Sequence, residues 1–272
     1  MSAQLLEKNL GSWPVNHVSA ALIGTHTETF GDADRVYELA SVTKLLTAYA
    51  VLLAVEEGAF ALDDALGPQN STPRHLLAHA SGVGFASREP EKPAGERRIY
   101  SSAGYEILAE HVEETTGIAF PEYLQAGVFE PLGMATARLV GSAGHGAEAS
   151  ISDMRLFAQE LLEPALLAEE TLRDARTNQF GELRGVVPGY GMQKPCPWGL
   201  GFEIKGNKFP HWTGDGMPED TIGHFGMSGT YLWISGDQAM ILLTDEQFGD
   251  WAKPLWHDTN TAIWKALSLI HI

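Results

Sequence analysis

The segment that most constrains the fold is an apolar run from Leu45 to Val55, which follows the sequence Ser41-Val42-Thr43-Lys44. A helix that is apolar on nearly every side is usually buried inside a domain. Gly58 comes directly after two glutamates, where it suits a C-terminal cap. The sequence therefore predicts a buried central helix that begins near Ser41 and ends near Gly58.

Ser41 and Lys44 are three residues apart, so on a helix they share one face. A serine hydroxyl becomes a good nucleophile when a neighbouring base takes its proton. A lysine can be that base if burial or a nearby cation lowers its pKa. Backbone N–H groups at the start of the helix could stabilise an oxyanion. The same residues also fit a purely structural interpretation, in which the serine is an N-cap before an apolar run.

The chain has 272 residues, 44% of them hydrophobic, and its composition does not shift along its length. That length suits one domain, or a main domain with an inserted region. The longest apolar run is shorter than the roughly 18 residues of a membrane-spanning helix, so no such helix is expected.

Two features favour the cytoplasm. The first residues, MSAQLLEKNLGSWPVNH, lack the basic and apolar regions of a secretory signal peptide. Cys196 is the single cysteine, which excludes an internal disulfide. We therefore expect a cytoplasmic protein.

The net charge is −17, from 18 basic and 35 acidic residues. A surface of this charge argues against nucleic acid and anionic membranes as partners. It does not select a substrate, and the sequence carries no signal of an oligomeric state.

The order of elements predicts a mixed α/β (α+β) fold. Residues 18–24 and 25–30 resemble strands, and so do several segments after residue 197. Helical patterns fill the chain between them, and an amphipathic helix follows from Trp251 to Ile272. We expect an antiparallel sheet built from both chain ends and flanked by helices, with an inserted, mostly helical region over roughly 62–180.

Two other pairs of polar residues are possible sites. His75 and His79 have the spacing of zinc-binding histidines on a helix, but no third ligand is apparent, so packing or capping is the favoured interpretation and no metal is expected. Asp63 and Asp64 lie in a loop and fit turn or capping residues better than an acid–base pair.

Three motifs follow one another in a defined order: Ser41-Val42-Thr43-Lys44, Tyr100-Ser101-Ser102 and His224-Phe225-Gly226. Together with LLAHASG (76–82), EPLGM (130–134) and WGLGFEI (198–204), they make the chain resemble the serine β-lactamase-like family. This family includes class C β-lactamases, penicillin-binding carboxypeptidases and family VIII esterases. The resemblance extends over nearly the whole chain and implies the β-lactamase/transpeptidase fold, with no cofactor. Taken alone, Tyr100 and His224 would each be read as a core residue.

The resemblance also implies roles for individual residues. Ser41 would be the nucleophile that forms an acyl-enzyme, and Lys44 and Tyr100 would share the acid–base work, with the base left open between them. Ser102, His224 and Gly226 would bind substrate, with His224-Phe225-Gly226 on an edge strand beside the site. The N–H groups of Met227 and Ser41 would form the oxyanion hole.

Two residues depart from the family pattern. Ser102 stands where most relatives have asparagine, and His224 stands where many have a lysine. A histidine near neutrality would hold a penicillin carboxylate less firmly than a permanent cation would.

These departures favour a serine hydrolase that acts on small esters. The alternatives are a β-lactamase or D-amino-acid peptidase that cleaves amides, and a catalytically silent binding relative. Trp198, Trp212 and Phe225 could line an apolar pocket, although a core position is commoner for aromatic residues.

Overall fold

The computed structural model describes residues 5–270. Its strands are β1 (Val18–Ile23), β2 (Glu28–Phe30), β3 (Tyr37–Glu38), β4 (Arg138–Leu139), β5 (Ala147–Ala149), β6 (Gly185–Val187), β7 (Gly191–Gln193), β8 (Glu203–Ile204), β9 (Ile222–Gly226), β10 (Thr230–Ser235) and β11 (Gln238–Thr244).

The helices are α1 (Leu5–Leu10), α2 (Thr43–Glu56), α3 (Pro73–Leu77), α4 (Ala103–Thr116), α5 (Phe120–Leu124), α6 (Glu130–Leu132), α7 (Ile151–Leu162), α8 (Glu169–Ala175) and α9 (Ala252–Ile270). A 3₁₀ turn over Ala40–Val42 precedes α2, and a π-helical turn over Gln125–Phe129 joins α5 to α6. No helix within residues 5–270 is long and apolar enough to cross a membrane.

The main sheet has six strands in the order β2-β1-β11-β10-β9-β8, and every neighbouring pair is antiparallel. Strands from the two ends of the chain meet where β1 pairs with β11. The predicted fold class, an antiparallel sheet built from both chain ends and flanked by helices, is confirmed. That residues 62–180 form a separate helical region stays a prediction.

Alternation of side chains along the strands divides the core into two layers. On β10, Leu232 and Ile234 pack in the layer that contains α2, whereas Tyr231 and Trp233 pack in the layer that contains α1 and α9. His224 on β9 is paired with Leu232, so the side chain of His224 lies on the face of the sheet that packs against the layer containing α2. Phe225 is paired with Tyr231 and packs in the opposite layer.

Helix α2 is buried along almost its entire length, as its all-round apolar sequence predicts. The helix ends at Glu56, and Gly58 follows with a φ of +80°, a conformation that glycine adopts without a steric penalty. The α-helix begins at Thr43 rather than at Ser41, because Ser41 lies in the preceding 3₁₀ turn.

Several short elements have no clear sequence signal. Strands β3, β4 and β5 form a small separate sheet, and β6 and β7 form a hairpin. Strand pairs of two or three residues are too short for alternation to be visible in the sequence. The predicted C-terminal helix is present as α9, and its last two predicted residues lie outside the described range.

Candidate active site

Ser41 lies in a strained turn at the entrance to α2. The preceding residue, Ala40, has a φ of +44°, which is unfavourable for a residue with a Cβ atom. Strand β9 packs against this turn so closely that a Cβ atom on Gly226 would lie 2.3 Å from the carbonyl oxygen of Leu39. The glycine therefore allows β9 to approach the turn two residues before the candidate nucleophile. β9 is not the edge strand of the sheet, because β8 pairs with it at Ile222 and Gly223.

Lys44 is completely buried one helical turn after Ser41. Its Nζ atom lies 3.4 Å from Oγ of Ser41, and it donates hydrogen bonds to Oγ of Ser102 at 3.1 Å and to the carbonyl oxygen of Gly144 at 2.7 Å. Burial lowers the pKa of Lys44 to about 7, and the negative charge of Glu106 opposes that shift. A large fraction of this lysine is therefore neutral near physiological pH.

The loop of residues 141–146, which the sequence indicates only as a flexible glycine-rich segment, supplies the closest partner of Lys44. The loop is fixed by Thr47, which donates to the carbonyl of Ala143 at 2.7 Å, and by Ser142, which donates to Glu106 at 2.6 Å. A Cβ atom on Gly144 would lie 2.9 Å from Cβ of Ser102. A side chain at position 144 would therefore push the loop away from the lysine.

Tyr100 lies beside Lys44, whose Nζ atom is 4.6 Å from the centre of the phenol ring. The Oη atom of Tyr100 is 2.7 Å from Nε2 of His224. Burial raises the pKa of Tyr100 well above its usual value, while a hydrogen bond with Ser41 acts in the opposite direction. The tyrosine is therefore a neutral phenol at physiological pH.

His224 is 1% exposed, and both of its ring nitrogens have partners. Nε2 lies beside Tyr100, and Nδ1 lies 3.2 Å from Oε2 of Glu203. The sequence suggests that His224 contacts substrate directly, but in this arrangement its ring faces the tyrosine and a buried carboxylate.

The cleft above Ser41 has a volume of about 420 Å³. Ser41, Ser102 and Met227 all line it, and Gly226 lies one residue before Met227 at the end of β9. Exposed apolar side chains also lie at its walls: Phe85 (57% exposed), Val140 (65%) and Met227 (46%). This side of the cleft suits uncharged, partly apolar substrate groups.

The charges around the cleft are acidic. Glu38 and Glu148 line it from directly opposed positions on β3 and β5. Among the described residues that line the cleft, none is Lys or Arg, and His145 is the other ionisable group. Arg138 on β4 lies opposite Glu148 in the strand register, but its guanidinium donates hydrogen bonds to the backbone carbonyls of Ala135 and Ala137.

The two histidines with zinc-like spacing, His75 and His79, contact other side chains and the backbone. His75 stacks on Phe180 with ring centres 4.1 Å apart, and Nδ1 of His79 accepts a hydrogen bond from the Ser101 N–H. Residues 5–270 hold no group of three His, Cys, Asp or Glu side chains suited to a metal ion.

The two acidic loop residues also act locally. Asp63 pairs with Arg74 at 2.9 Å, and Asp64 accepts a hydrogen bond from the N–H of Ala61 at 2.7 Å. The aromatic residues considered for a pocket, Trp198, Trp212 and Phe225, are all buried in the core layer next to α9.

Sequence reasoning missed one group of buried polar residues behind the site: Glu203, Lys208 and His211. Glu203 lies between the apolar residues Phe202 and Ile204. A carboxylate within an apolar strand must be paired if it is buried, and this was the available signal.

Comparison with known proteins agrees with this architecture. The β-lactamase family profile matches residues 25–244 of the chain. A crystal structure described as a β-lactamase, Mb2281c from Mycobacterium bovis, is 47% identical with a TM-score of 0.93, and the match covers 95% of this chain and 98% of that one. Simvastatin synthase (LovD9 mutant) from Aspergillus terreus has the same fold, with a TM-score of 0.79 at 17% identity over 98% of each chain.

Among curated proteins, penicillin-binding protein 4* of Bacillus subtilis (strain 168) is 28% identical over an alignment of 137 residues, and the match covers 38% of this chain and 30% of that protein. The match spans about a third of the length of the curated relatives. The family profile covers most of the present chain, and the near-complete structural match agrees with it. The chain therefore belongs to the β-lactamase family.

Proposed function

We propose that this protein is a serine hydrolase that forms an acyl-enzyme at Ser41 and acts on small, uncharged esters. The observation that carries the proposal is the buried amine of Lys44, which has a pKa of about 7 and lies 3.4 Å from Oγ of Ser41, a residue that lines an open cleft. Burying a lysine without an anionic partner is costly, and a base poised near neutrality is a reason to retain it.

In the proposed reaction, neutral Lys44 takes the proton of Ser41 while Oγ forms a bond to the carbonyl carbon of the ester. The N–H groups of Ser41 and Met227 donate hydrogen bonds to the oxyanion. When the bond to the leaving oxygen breaks, Lys44 returns the proton to that oxygen. Water then repeats the sequence and releases the acid and free Ser41.

Tyr100 enters this scheme as a neutral phenol whose oxygen accepts a hydrogen bond from the Ser41 hydroxyl and later faces the Lys44 ammonium. Its raised pKa argues against a tyrosinate as the base. This assigns the proton transfer, which the sequence leaves open between two residues, to Lys44. When the hydroxyl of Ser41 rotates, its own hydrogen turns away from the oxygen of Tyr100 and toward Nζ of Lys44.

The charge of the cleft favours an ester over a penicillin. Penicillins and peptide C-termini carry a carboxylate, which would meet Glu38 and Glu148 without a lysine or arginine to pair with it. His224, which replaces the lysine of many relatives, has both ring nitrogens occupied. A cytoplasmic location, which would also separate the protein from cell-wall substrates, stays a prediction.

The second candidate is cleavage of a lactam or another amide. The relative from Mycobacterium bovis, described as a β-lactamase, is the observation that favours it. The two candidates share Ser41 and Lys44 and differ in the substrate group that the cleft accepts.

The test is a rapid-mixing time course with p-nitrophenyl acetate, with intact-protein mass measured during turnover. We expect a burst of about one equivalent and an acetyl adduct on a peptide that contains Ser41. Ser41→Ala should remove the burst, the adduct and the turnover while the melting temperature stays within a few degrees of the wild type. Faster turnover of a chromogenic cephalosporin than of the ester would select the second candidate.

Unchanged ester turnover in Ser41→Ala would refute the nucleophile. Absence of any reaction of Ser41 with the ester, with the cephalosporin and with a fluorophosphonate would indicate a silent relative.

A further inference from the structure

A charged cluster is buried behind the candidate active site, and none of its described side chains lines the cleft. At its centre is the carboxylate of Glu203, whose side chain is fully buried. Oε1 forms an ion pair with Nζ of Lys208 at 3.3 Å and accepts a hydrogen bond from Nε2 of His211 at 2.9 Å. Oε2 accepts one from the indole of Trp212 at 3.0 Å and lies 3.2 Å from Nδ1 of His224.

The contacts of Lys208 indicate that this cluster holds one carboxylate and one ammonium. Nζ of Lys208 donates hydrogen bonds to two backbone carbonyls, those of Pro197 and Ile204, and forms an ion pair with the carboxylate of Glu203. The pair of Glu203 and Lys208 is therefore neutral as a unit, and neither histidine needs a positive charge to balance it. Burial lowers the pKa of both His211 and His224, with Glu203 opposing the shift in each case.

The number of available protons fixes the tautomer of His224. An ionised carboxylate only accepts hydrogen bonds, so Nδ1 of His224 must carry the proton. In a neutral imidazole, Nε2 is then an acceptor. The hydrogen bond of 2.7 Å between Nε2 and Tyr100 must therefore be donated by the phenol.

This direction has a consequence for Tyr100. A tyrosinate would place its lone pairs against the lone pair of Nε2 at 2.7 Å, which is repulsive, so the arrangement holds the tyrosine in its neutral form. With the proton directed at His224, the lone pairs of Oη are free to accept hydrogen bonds on the side of Ser41 and Lys44.

We propose that Glu203 and His224 are positioning residues that keep Tyr100 a neutral phenol with its oxygen lone pairs directed at Ser41. Glu203 sets the tautomer of His224, and His224 sets the direction of the phenol proton. Neither residue exchanges a proton with the substrate. The proposal rests on the proposed function only in so far as Tyr100 assists Ser41, because the tautomer itself does not depend on any activity.

The first test is a direct measurement of the tautomer. Protein labelled with ¹⁵N-histidine is examined by two-dimensional ¹H–¹⁵N NMR at neutral pH, and the signals of His224 are identified by their loss in His224→Gln. We expect a protonated Nδ1 and an unprotonated Nε2. A protonated Nε2 in the wild-type protein would overturn the proposal, whether or not the protein hydrolyses esters.

Glu203→Gln should reverse the tautomer. The ammonium of Lys208 attracts the amide oxygen of the new glutamine, so its NH₂ group faces Nδ1 of His224, and the indole N–H of Trp212 loses its acceptor. Nδ1 would then accept a hydrogen bond and Nε2 would carry the proton. A wild-type tautomer in a folded Glu203→Gln protein would contradict the role given to Glu203.

A matched pair of variants keeps the test independent of the folding of Glu203→Gln. His211→Gln and His224→Gln make the same change, beside the same carboxylate, at two similarly buried histidines, but only His224 contacts Tyr100. We expect His224→Gln to lower kcat about 10²-fold with KM within about threefold, the lower end of what acid–base positioning contributes. His211→Gln should keep kcat within about twofold.

Equal losses in the two variants would mean that the cluster acts through stability alone, and full activity of His224→Gln would remove the positioning role. If the wild-type protein hydrolyses no ester, the proposed function fails and the NMR result decides this inference by itself.

Discussion

The Nζ atom of Lys44 lies 3.4 Å from the Oγ atom of Ser41, and among residues 5–270 no carboxylate lies within hydrogen-bonding distance of the lysine. Its hydrogen-bond partners are two hydroxyl groups and one backbone carbonyl, which can bind a neutral amine as well as an ammonium. The negative charge of Glu106, which is not a hydrogen-bond partner of Lys44, favours the charged form and raises its pKa. In the proposed mechanism, the protonation state of this one buried side chain therefore controls the reactivity of Ser41.

The rate of ester hydrolysis should therefore follow the protonation of Lys44. The neutral amine is the active form in the proposed mechanism. Well below a pKa near 7, kcat/KM should therefore increase about tenfold for each unit of pH, and above that pKa it should level off. The measurement is kcat/KM for p-nitrophenyl acetate between pH 5 and 9, corrected for spontaneous hydrolysis. Lys44→Arg, a permanent cation, should lose at least about 10²-fold at every pH. A flat profile would contradict the assignment of the base.

The same buried amine should lower stability in a pH-dependent way. The pKa of Lys44 is about 7 in the folded protein and about 10.4 in the unfolded chain, so between these values only the unfolded chain binds the proton. The free energy of unfolding contributed by this site therefore rises with pH from 7 to 10, by up to about 1.4 kcal/mol per unit.

Lys44→Met tests this, because it removes the titrating group while keeping an unbranched side chain. The unfolding free energy of the variant minus that of the wild type should fall as the pH rises from 7 to 10, because the wild type gains stability over this range. Urea unfolding of both proteins at several pH values gives that difference, and other groups that titrate in this range cancel. A difference that stays constant with pH would show that the amine is not neutral in the folded state.

Gly226→Ala should damage the site more than the overall fold. The new Cβ would lie 2.3 Å from the backbone of Leu39, so β9 and the turn that carries Ser41 must separate. We expect kcat/KM to fall by at least about 10²-fold, since small displacements of reacting groups are costly. The melting temperature should fall by several degrees.

Gly249→Ala is the control for this substitution, because a Cβ there would make an ordinary contact of 3.6 Å with Trp251. It should leave both the rate and the melting temperature nearly unchanged. A fully active Gly226→Ala protein would mean that the spacing between β9 and Ser41 is not critical.

Glu38 and Glu148 should select against negatively charged substrates. Their carboxylates face the cleft from opposed strands, and the potential there repels an anion. We expect the wild type to hydrolyse p-nitrophenyl acetate faster than the monoanionic p-nitrophenyl hemisuccinate. In the double variant Glu38→Gln/Glu148→Gln, the ratio of kcat/KM for the acetate to kcat/KM for the hemisuccinate should be about 2- to 10-fold smaller than in the wild type. In the wild type, 0.5 M salt should also lower this ratio, because salt screens the two carboxylates.

Glu169→Gln/Glu170→Gln provides the control, because it changes the net charge equally on α8, outside the cleft. Its substrate ratio should match that of the wild type. If both double variants shift the ratio alike, the selectivity comes from net charge and not from these two residues.

Local physical signals were sufficient to predict the main elements from sequence. The all-round apolar run after Lys44 predicted a buried helix, and α2 is buried almost throughout. Alternating or continuous apolar segments near both chain ends predicted the strands of the main sheet, and β1 and β9–β11 lie there. The spacing of Ser41 and Lys44 predicted their proximity, because helix geometry fixes the distance between residues three apart.

The tertiary structure decided which distant groups surround those two residues. Two of these contacts join residues far apart in the chain. The hydrogen bond from Lys44 to the carbonyl of Gly144 spans 100 positions, and the hydrogen bond between Tyr100 and His224 spans 124. No local pattern encodes such contacts, because they depend on how loops and strands pack.

The sequence by itself determined the main secondary structure, the family resemblance and the candidate nucleophile. Folding alone decided that Lys44 loses its water and part of its basicity, and that the ring of His224 is enclosed between Tyr100 and Glu203. The physical reason is that a pKa and a hydrogen-bond direction depend on the whole surroundings of a group, which only the packed chain supplies.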